Sequence, residues 1–248
     1  MAINVNTVYQ TVLSILNKEQ RGYITPDEFN KLATQVQLEI FEGYFDTLNQ
    51  QLRVSQTDTE YADRQKNIDN SLAIFKTVGP CTYDALKKFF LPPSNLHRIG
   101  TVIYKDEVEV ERTQRNELLL QNLSSLTKPS TNFPVYIYDQ NEQGVNGLED
   151  GETRIHVHPR SITSDVSVSY IKKPSDVVWG FQQLGGGSWT SGPYIYFEDN
   201  SVQFEINDNE QSNVILKILS YSGVIIRDPQ IVQAASQEVQ KNEINGKS

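Results

Sequence analysis

The sequence predicts an α+β fold, and three observations carry that prediction. Residues 1–78 place apolar side chains at helical spacing behind two capping boxes, the period changes to strand-like alternation after Gly79-Pro80, and helical spacing returns from Asn207 onward. The expected division is a helical hairpin region at 1–78, an antiparallel β-rich body at 79–206, and C-terminal helices with a polar tail at 207–248, all in one integrated subunit.

The first element is a short amphipathic helix, in which Val5, Val8, Val12, Ile15 and Leu16 recur at helical spacing behind the polar Asn4 and Asn6. Thr25-Pro26-Asp27-Glu28 opens the second helix. Thr25 caps it, Pro26 sits in the first turn where its missing N–H costs nothing, and Glu28 completes a capping box. Phe29, Leu32, Val36, Ile40, Tyr44, Leu48 and Leu52 then hold one stripe. A further box, Thr57-Asp58-Thr59-Glu60, starts a helix carrying Tyr61, Ile68, Leu72 and Phe75, so the two long helices are expected to form an antiparallel hairpin.

Five or six antiparallel strands are expected next, at Leu96 to Tyr104, Glu107 to Val110, Val135 to Tyr138, Arg154 to His158, Val166 to Ile171 and Tyr194 to Phe197. Between them Gln114 to Asn122, with Leu118, Leu119 and Leu120, reads as a short helix laid on the sheet. At the C-terminal end Asn207 to Glu210 reads as a cap, Val214, Ile215, Ile218 and Leu219 as a buried face, and Gly223 as the stop. Asp228-Pro229 opens a last helix before the tail from Lys241 to Ser248.

The 248 residues carry 22 Lys plus Arg against 31 Asp plus Glu, a net charge of −9, which disfavours specific duplex binding for want of phosphate-neutralising clusters. The N-terminus has neither a basic region nor an apolar core of a signal peptide, and no apolar run approaches the roughly 20 residues of a membrane span. Neither membrane insertion nor conventional secretion is expected. The single cysteine, Cys81, excludes an intramolecular disulfide and a cysteine-based zinc site.

Several constellations invite chemistry. Asn17 to Glu28 fits the frame of a calcium loop, with Gly22 sixth, Ile24 eighth and Glu28 twelfth, but Arg21 brings a positive charge to the fifth position where an oxygen belongs. It is read as a helix-turn-helix, with an EF-hand-like calcium-responsive regulator as a rival. His156 and His158 share a strand face without a companion carboxylate at a metal-site spacing. No nucleophile elbow or phosphate loop occurs, so no catalytic residue, metal or cofactor is assigned. Trp179, Trp189, Tyr194 and Tyr196 would supply stacking surfaces in a second rival, a receptor- or glycan-binding component. Glu107, Glu109 and Glu111 alternate with Val108 and Val110, which places the three carboxylates in a row on one strand face.

The opening block from Val5 to Arg53, the segment DVSVSYIKKPSDVVWGF at 165–181 and the ending from Phe204 to Gln240 resemble virion structural proteins of tailed bacteriophages, with the crAss-like phages and related marine phages as the nearest likeness. The order of helical hairpin, β-rich body and C-terminal helices is also similar to the head-to-tail adaptors and tubular tail proteins of short-tailed phages. The resemblance implies a non-enzymatic subunit made in the host bacterial cytoplasm and located in the neck or tail of the virion. There it would form a homo-oligomeric ring, commonly twelvefold, that joins the portal and other neck or tail ring proteins. Genome DNA would pass through the lumen without sequence-specific binding. An acidic lining suits such a conduit because carboxylates repel phosphates, and Glu107, Glu109 and Glu111 are the candidate lining.

Overall fold

The computed structural model describes residues 2–18, 23–51, 66, 69–140, 153–183, 194–226, 233, 236–237 and 240–241. Its elements in chain order are β1 (Ala2–Ile3), α1 (Val5–Lys18), α2 (Pro26–Gln51), β2 (Lys76–Pro80), β3 (Thr82–Asp84), β4 (Phe89–Leu91), β5 (Leu96–Tyr104), β6 (Val108–Arg112), α3 (Arg115–Gln121), β7 (Val135–Gln140), β8 (Thr153–His158), β9 (Val166–Lys172), β10 (Phe181–Gln183), β11 (Tyr194–Tyr196), β12 (Phe204–Asn207) and α4 (Gln211–Ile226). The protein is α+β. The chain forms two compact units, Met1–Ile74 with Pro174–Ser248, and Phe75–Lys173.

The first unit is built on helices. Asn4 Oδ1 accepts the backbone N–H groups of Asn6 and Thr7 at 2.9 and 3.1 Å and so caps α1. Val5, Val8, Val12 and Leu16 are then fully buried, while Ile15 lies at the solvent edge of the stripe. The expected capping box at α2 is present: Thr25 N and Oγ1 donate to Glu28 Oε2 at 2.9 and 2.8 Å, and Glu28 N donates back to Thr25 Oγ1 at 3.4 Å. Phe29, Val36 and Ile40 are buried, with Leu32 and Tyr44 partly so; the side chains of Leu48 and Leu52 lie outside the described residues. Most of the expected partner helix, including its Thr57 to Glu60 box, Tyr61 and Ile68, also lies outside them. Residues 69–73 are helical, and Leu72 and Phe75 are buried.

Two antiparallel strand pairs, β1–β12 and β10–β11, complete this unit. Gln37 of α2, 1% exposed, ties them in: its Nε2 donates to Ser175 O at 2.7 Å and its Oε1 accepts Glu205 N at 2.8 Å. Ile3, Val5, Val8, Phe29, Val36, Trp179, Phe204, Ile206, Val214 and Ile218 share one apolar core. In α4 the expected face of Val214, Ile218 and Leu219 is buried and Ile215 packs at its margin. Both ends of this helix differ from expectation. Asn207 closes strand β12 and a 3₁₀ turn, Asp208–Glu210, intervenes before Gln211. Gly223 does not stop the helix, which runs to Ile226 because Val224, Ile225 and Ile226 continue its apolar content. The last helix and tail lie almost wholly outside the described residues.

The second unit is an eight-stranded sheet in the order β2-β9-β5-β6-β7-β8-β4-β3, antiparallel except for the parallel pair β6–β7. Its two end strands, β2 and β3, are separated in sequence by Cys81 alone. Pro80 and Thr82 can therefore be no more than about 7 Å apart, and the sheet must curl until its ends meet. The continuous segment Lys76 to Asp84 pairs first with β9 and then with β4, and Cys81 N donates to Val166 O at 2.9 Å where the partner changes. The result is a barrel-like sheet whose end strands, β2 and β3, follow one another in a single segment without pairing to each other. Phe90, Val102, Val110, Tyr136, Ile155, Val157, Val166 and Val168 fill its interior, one or more from each of β4 to β9.

Candidate assembly surface

The feature of the barrel unit that stands out is apolar surface left uncovered. Thr113 Oγ1 and Gln114 N both donate to Glu117 Oε2 at 3.1 Å, which starts α3 within a residue of its expected position. Leu118 then packs against Val135 and Ile137 of β7, on the outer face of the barrel. Only Leu118 turns inward. Leu119 and Leu120, expected to lie on the sheet, are 65% and 67% exposed, and Leu123, Leu126 and Phe133 beyond them are 83%, 95% and 79% exposed.

This segment is held by its own hydrogen bonds. Asn122 N bonds Leu118 O and Leu123 N bonds Leu120 O, Thr127 Oγ1 reaches back to Gln121 O at 3.0 Å, and Ser130 and Phe133 exchange two backbone bonds at 3.2 Å. These bonds fold the loop onto the end of α3. Lys128 is the single charged residue between Leu118 and Val135. Depletion of charge around large apolar side chains is the composition of an interface centre.

The acidic row is only partly a strand. Tyr104 to Glu107 form a tight turn with φ of 54° and 56° at Lys105 and Asp106, closed by Glu107 N to Tyr104 O at 3.3 Å. Glu107 therefore sits in the turn, while Glu109 and Glu111 lie on β6 with Val110 buried between them. All three carboxylates are exposed.

Glu109 also borders a cleft of about 460 Å³. It opens where β5 and β6, paired through Val102 to Tyr104, diverge and β6 turns to β7. Val102, Val110, Tyr136, Arg98, Arg112 and Tyr138 are among the residues that line it, with the Arg112 guanidinium 5.5 Å from the Tyr138 ring centre. Burial pushes the Tyr136 phenol up from its ordinary range.

His156 and His158 alternate with the buried Ile155 and Val157, so both face outward on β8. The companion of His156 is Asp139 of β7, whose Oδ2 lies 3.7 Å from His156 Nε2 and 2.7 Å from Arg115 Nη2. Among the described residues no group of three His, Cys, Asp or Glu could hold a metal ion. Burial first, and then the nearby Arg160, lower both imidazole pKa values; Asp139 opposes this at His156. Lowered histidine pKa values mean that the unfolded chain takes up protons near the ordinary value of about 6.5 while the folded barrel does not. Barrel stability is therefore expected to be fully present above that pH and to fall as the pH drops below it. Thermal melts from pH 7.5 to 5 should show a shallower decline in a His156→Asn/His158→Asn variant, and parallel curves would refute the assignment.

Other sequence candidates fall in ordinary structural roles. The twelfth position of the calcium frame, Glu28, is engaged with Thr25, and these hydrogen bonds lower its carboxyl pKa. Ile24 is buried, and Asn17 is exposed at the end of α1; Arg21 and Gly22 lie outside the described residues. Trp179 is 4% exposed in the first unit's core, stacked at 6.0 Å on Phe181, and offers no ring face to a sugar; Trp189 lies outside the described residues. Burial pushes the Cys81 thiol up to about 12, so at neutral pH it is an unreactive packing residue.

No known protein family matches the chain. No curated protein is significantly similar to it in sequence. Sequence reasoning placed Leu118 to Leu120 together on the sheet and passed over Leu123, Leu126 and Phe133. The available signal was the long charge-poor run, broken by Ser124-Ser125 and Pro129 so that neither a helical nor a strand period develops.

Proposed function

We propose that this chain is a non-enzymatic structural subunit of a tailed-bacteriophage neck or tail ring, of the head-to-tail adaptor type. Copies assemble into a ring, commonly twelvefold, between the portal and the tail, and genome DNA passes through its lumen without sequence-specific binding. The observation that carries this proposal is the ordered, charge-poor apolar segment from Leu119 to Phe133. Exposed apolar surface of this extent is a cost to a free monomer and is relieved only by a partner. The acidic balance of the chain and the exposure of Glu107, Glu109 and Glu111 favour a surface past which phosphates slide.

The test is cryo-electron microscopy of the purified virion with symmetry determined at the neck. The expected result is this chain in a closed ring around the DNA axis, with the three glutamates toward the lumen. Absence of the chain from the particle overturns the proposal, and a ring with these carboxylates on its periphery removes them as the lining.

A further inference from the structure

We propose that the surface formed by Leu119, Leu120, Leu123, Leu126 and Phe133 is covered by a second copy of this chain. The inference rests on the assembly reading above and names its partner. The five residues are 65–95% exposed, and together they offer apolar surface on the order of the roughly 300–600 Å² of the largest patch on a typical monomer. It approaches the ~800 Å² that each partner contributes to a standard-size interface. One such patch therefore supplies most of the area that one partner contributes to a specific complex.

Charge selects the occupant. Two molecules each carrying −9 repel one another over most of their surfaces, and contact costs least where neither presents a carboxylate. The stretch between Leu118 and Val135 contains no acidic residue, and its one charge, Lys128, is attractive toward an acidic neighbour. An anionic bilayer is a poorer occupant, since stable surface binding draws on several basic residues beside the apolar ones and here there is one. The internal hydrogen bonds of the segment favour a protein partner as well. A backbone already held in place loses little conformational freedom on docking, which lowers the cost of association.

The experiment is sedimentation velocity on the purified full-length chain across the micromolar range. It compares wild type, a Leu123→Glu/Leu126→Glu variant, and a Leu86→Glu control at a 94% exposed leucine in the β3–β4 turn. Wild type and control should associate with rising concentration, and the double variant should associate about a hundredfold more weakly or not at all. Matching circular-dichroism melts establish that the variant folds, and Phe133→Lys repeats the test at an independent position.

Species larger than a dimer that vanish in the variant support both this surface and the ring. A dimer that the variant breaks supports the surface but counts against the ring, because a patch that meets only its own copy closes at two. A wild type that stays monomeric, or association that the variant leaves intact, overturns the inference. So does flotation of a monomeric wild type, but not of the variant, with phosphatidylserine-containing vesicles, which would assign the patch to a bilayer.

Discussion

Trp179→Ala is expected to lower the stability of the helical unit by about 3–5 kcal/mol, the range for removing a large buried aromatic side chain. The indole is 4% exposed, and its ring centre lies 4.3 Å from Tyr9, 5.8 Å from Tyr196 and 6.0 Å from Phe181. Its Nε1 donates to Asn6 Oδ1 at 3.1 Å, so truncation opens a void and also leaves that acceptor on α1 with only the longer bond from Gln10 Nε2 at 3.4 Å. The backbone around it is pinned separately: Trp179 N donates to Asn30 Oδ1 at 2.7 Å, and Asn30 Nδ2 returns a bond to Trp179 O at 3.4 Å. The cavity therefore cannot close cheaply, and the cost should fall in the upper part of the range. Trp179→Phe, which keeps much of the volume and loses the Nε1 bond, should cost less than half as much. Urea unfolding followed by helical circular dichroism reads both variants. A sugar-stacking platform would behave in the opposite way, losing carbohydrate binding with little change in stability, so an unchanged urea midpoint in Trp179→Ala would refute the core assignment.

The elements that were legible in the sequence are those whose signals are local. The α1 stripe of Val5, Val8, Val12 and Leu16 needs only a period of 3.6, and the Thr25–Glu28 box is formed by residues three apart. Strands β8 and β9 alternate buried and half-buried positions over six and seven residues. Strands β1, β3, β4 and β10 are two or three residues long and give no period to detect. The curl of the sheet was equally hidden. It depends on one segment, Lys76 to Asp84, changing partners at Cys81, and the most distant pair in it, Lys76 with Ile171, is 95 positions apart.

The same distinction separates the candidate sites. That Glu109 and Glu111 face outward follows from alternation with Val110, whereas the turn that takes Glu107 off the strand depends on positive φ at Lys105 and Asp106, two residues that do not advertise it. The leucine segment was illegible for a different reason. Hydrophobic patterning assumes that apolar residues turn inward, and it assigns Leu119 and Leu120 to the side of Leu118. A surface reserved for a partner violates that assumption, so only the solved geometry separates Leu118, at 6% exposure, from its neighbours.

The residue after Trp179 sets a harder constraint than the tryptophan itself, and Gly180→Ala should destabilise the helical unit by about 3 kcal/mol or more, at or beyond the upper end of overpacking costs. A Cβ built on Gly180 would lie 2.6 Å from Phe197 O and 2.7 and 2.8 Å from the carbonyl carbon and oxygen of Asn200. All three are backbone atoms, so no rotamer change relieves the clash. The opposing chain cannot withdraw either. Phe197 N donates to Gly180 O at 2.9 Å, Gly180 N donates to Ser201 Oγ at 3.0 Å, that hydroxyl donates to Phe197 O at 2.7 Å, and Val178 and Val202 exchange backbone bonds at 3.2 and 2.8 Å. Moving the 197–202 stretch far enough to admit one methyl group would break several of these together. Gly43→Ala is the internal control. A Cβ at Gly43, within α2, meets nothing within 4 Å, and the same substitution there should stabilise by about 0.5–1 kcal/mol through helix propensity. The two variants add the same methyl group to one unit, so opposite shifts in urea midpoint isolate the effect of close backbone approach. Equal shifts would mean that residues 197–202 yield readily, and the packing described around Trp179 would then be far softer than its hydrogen bonds imply.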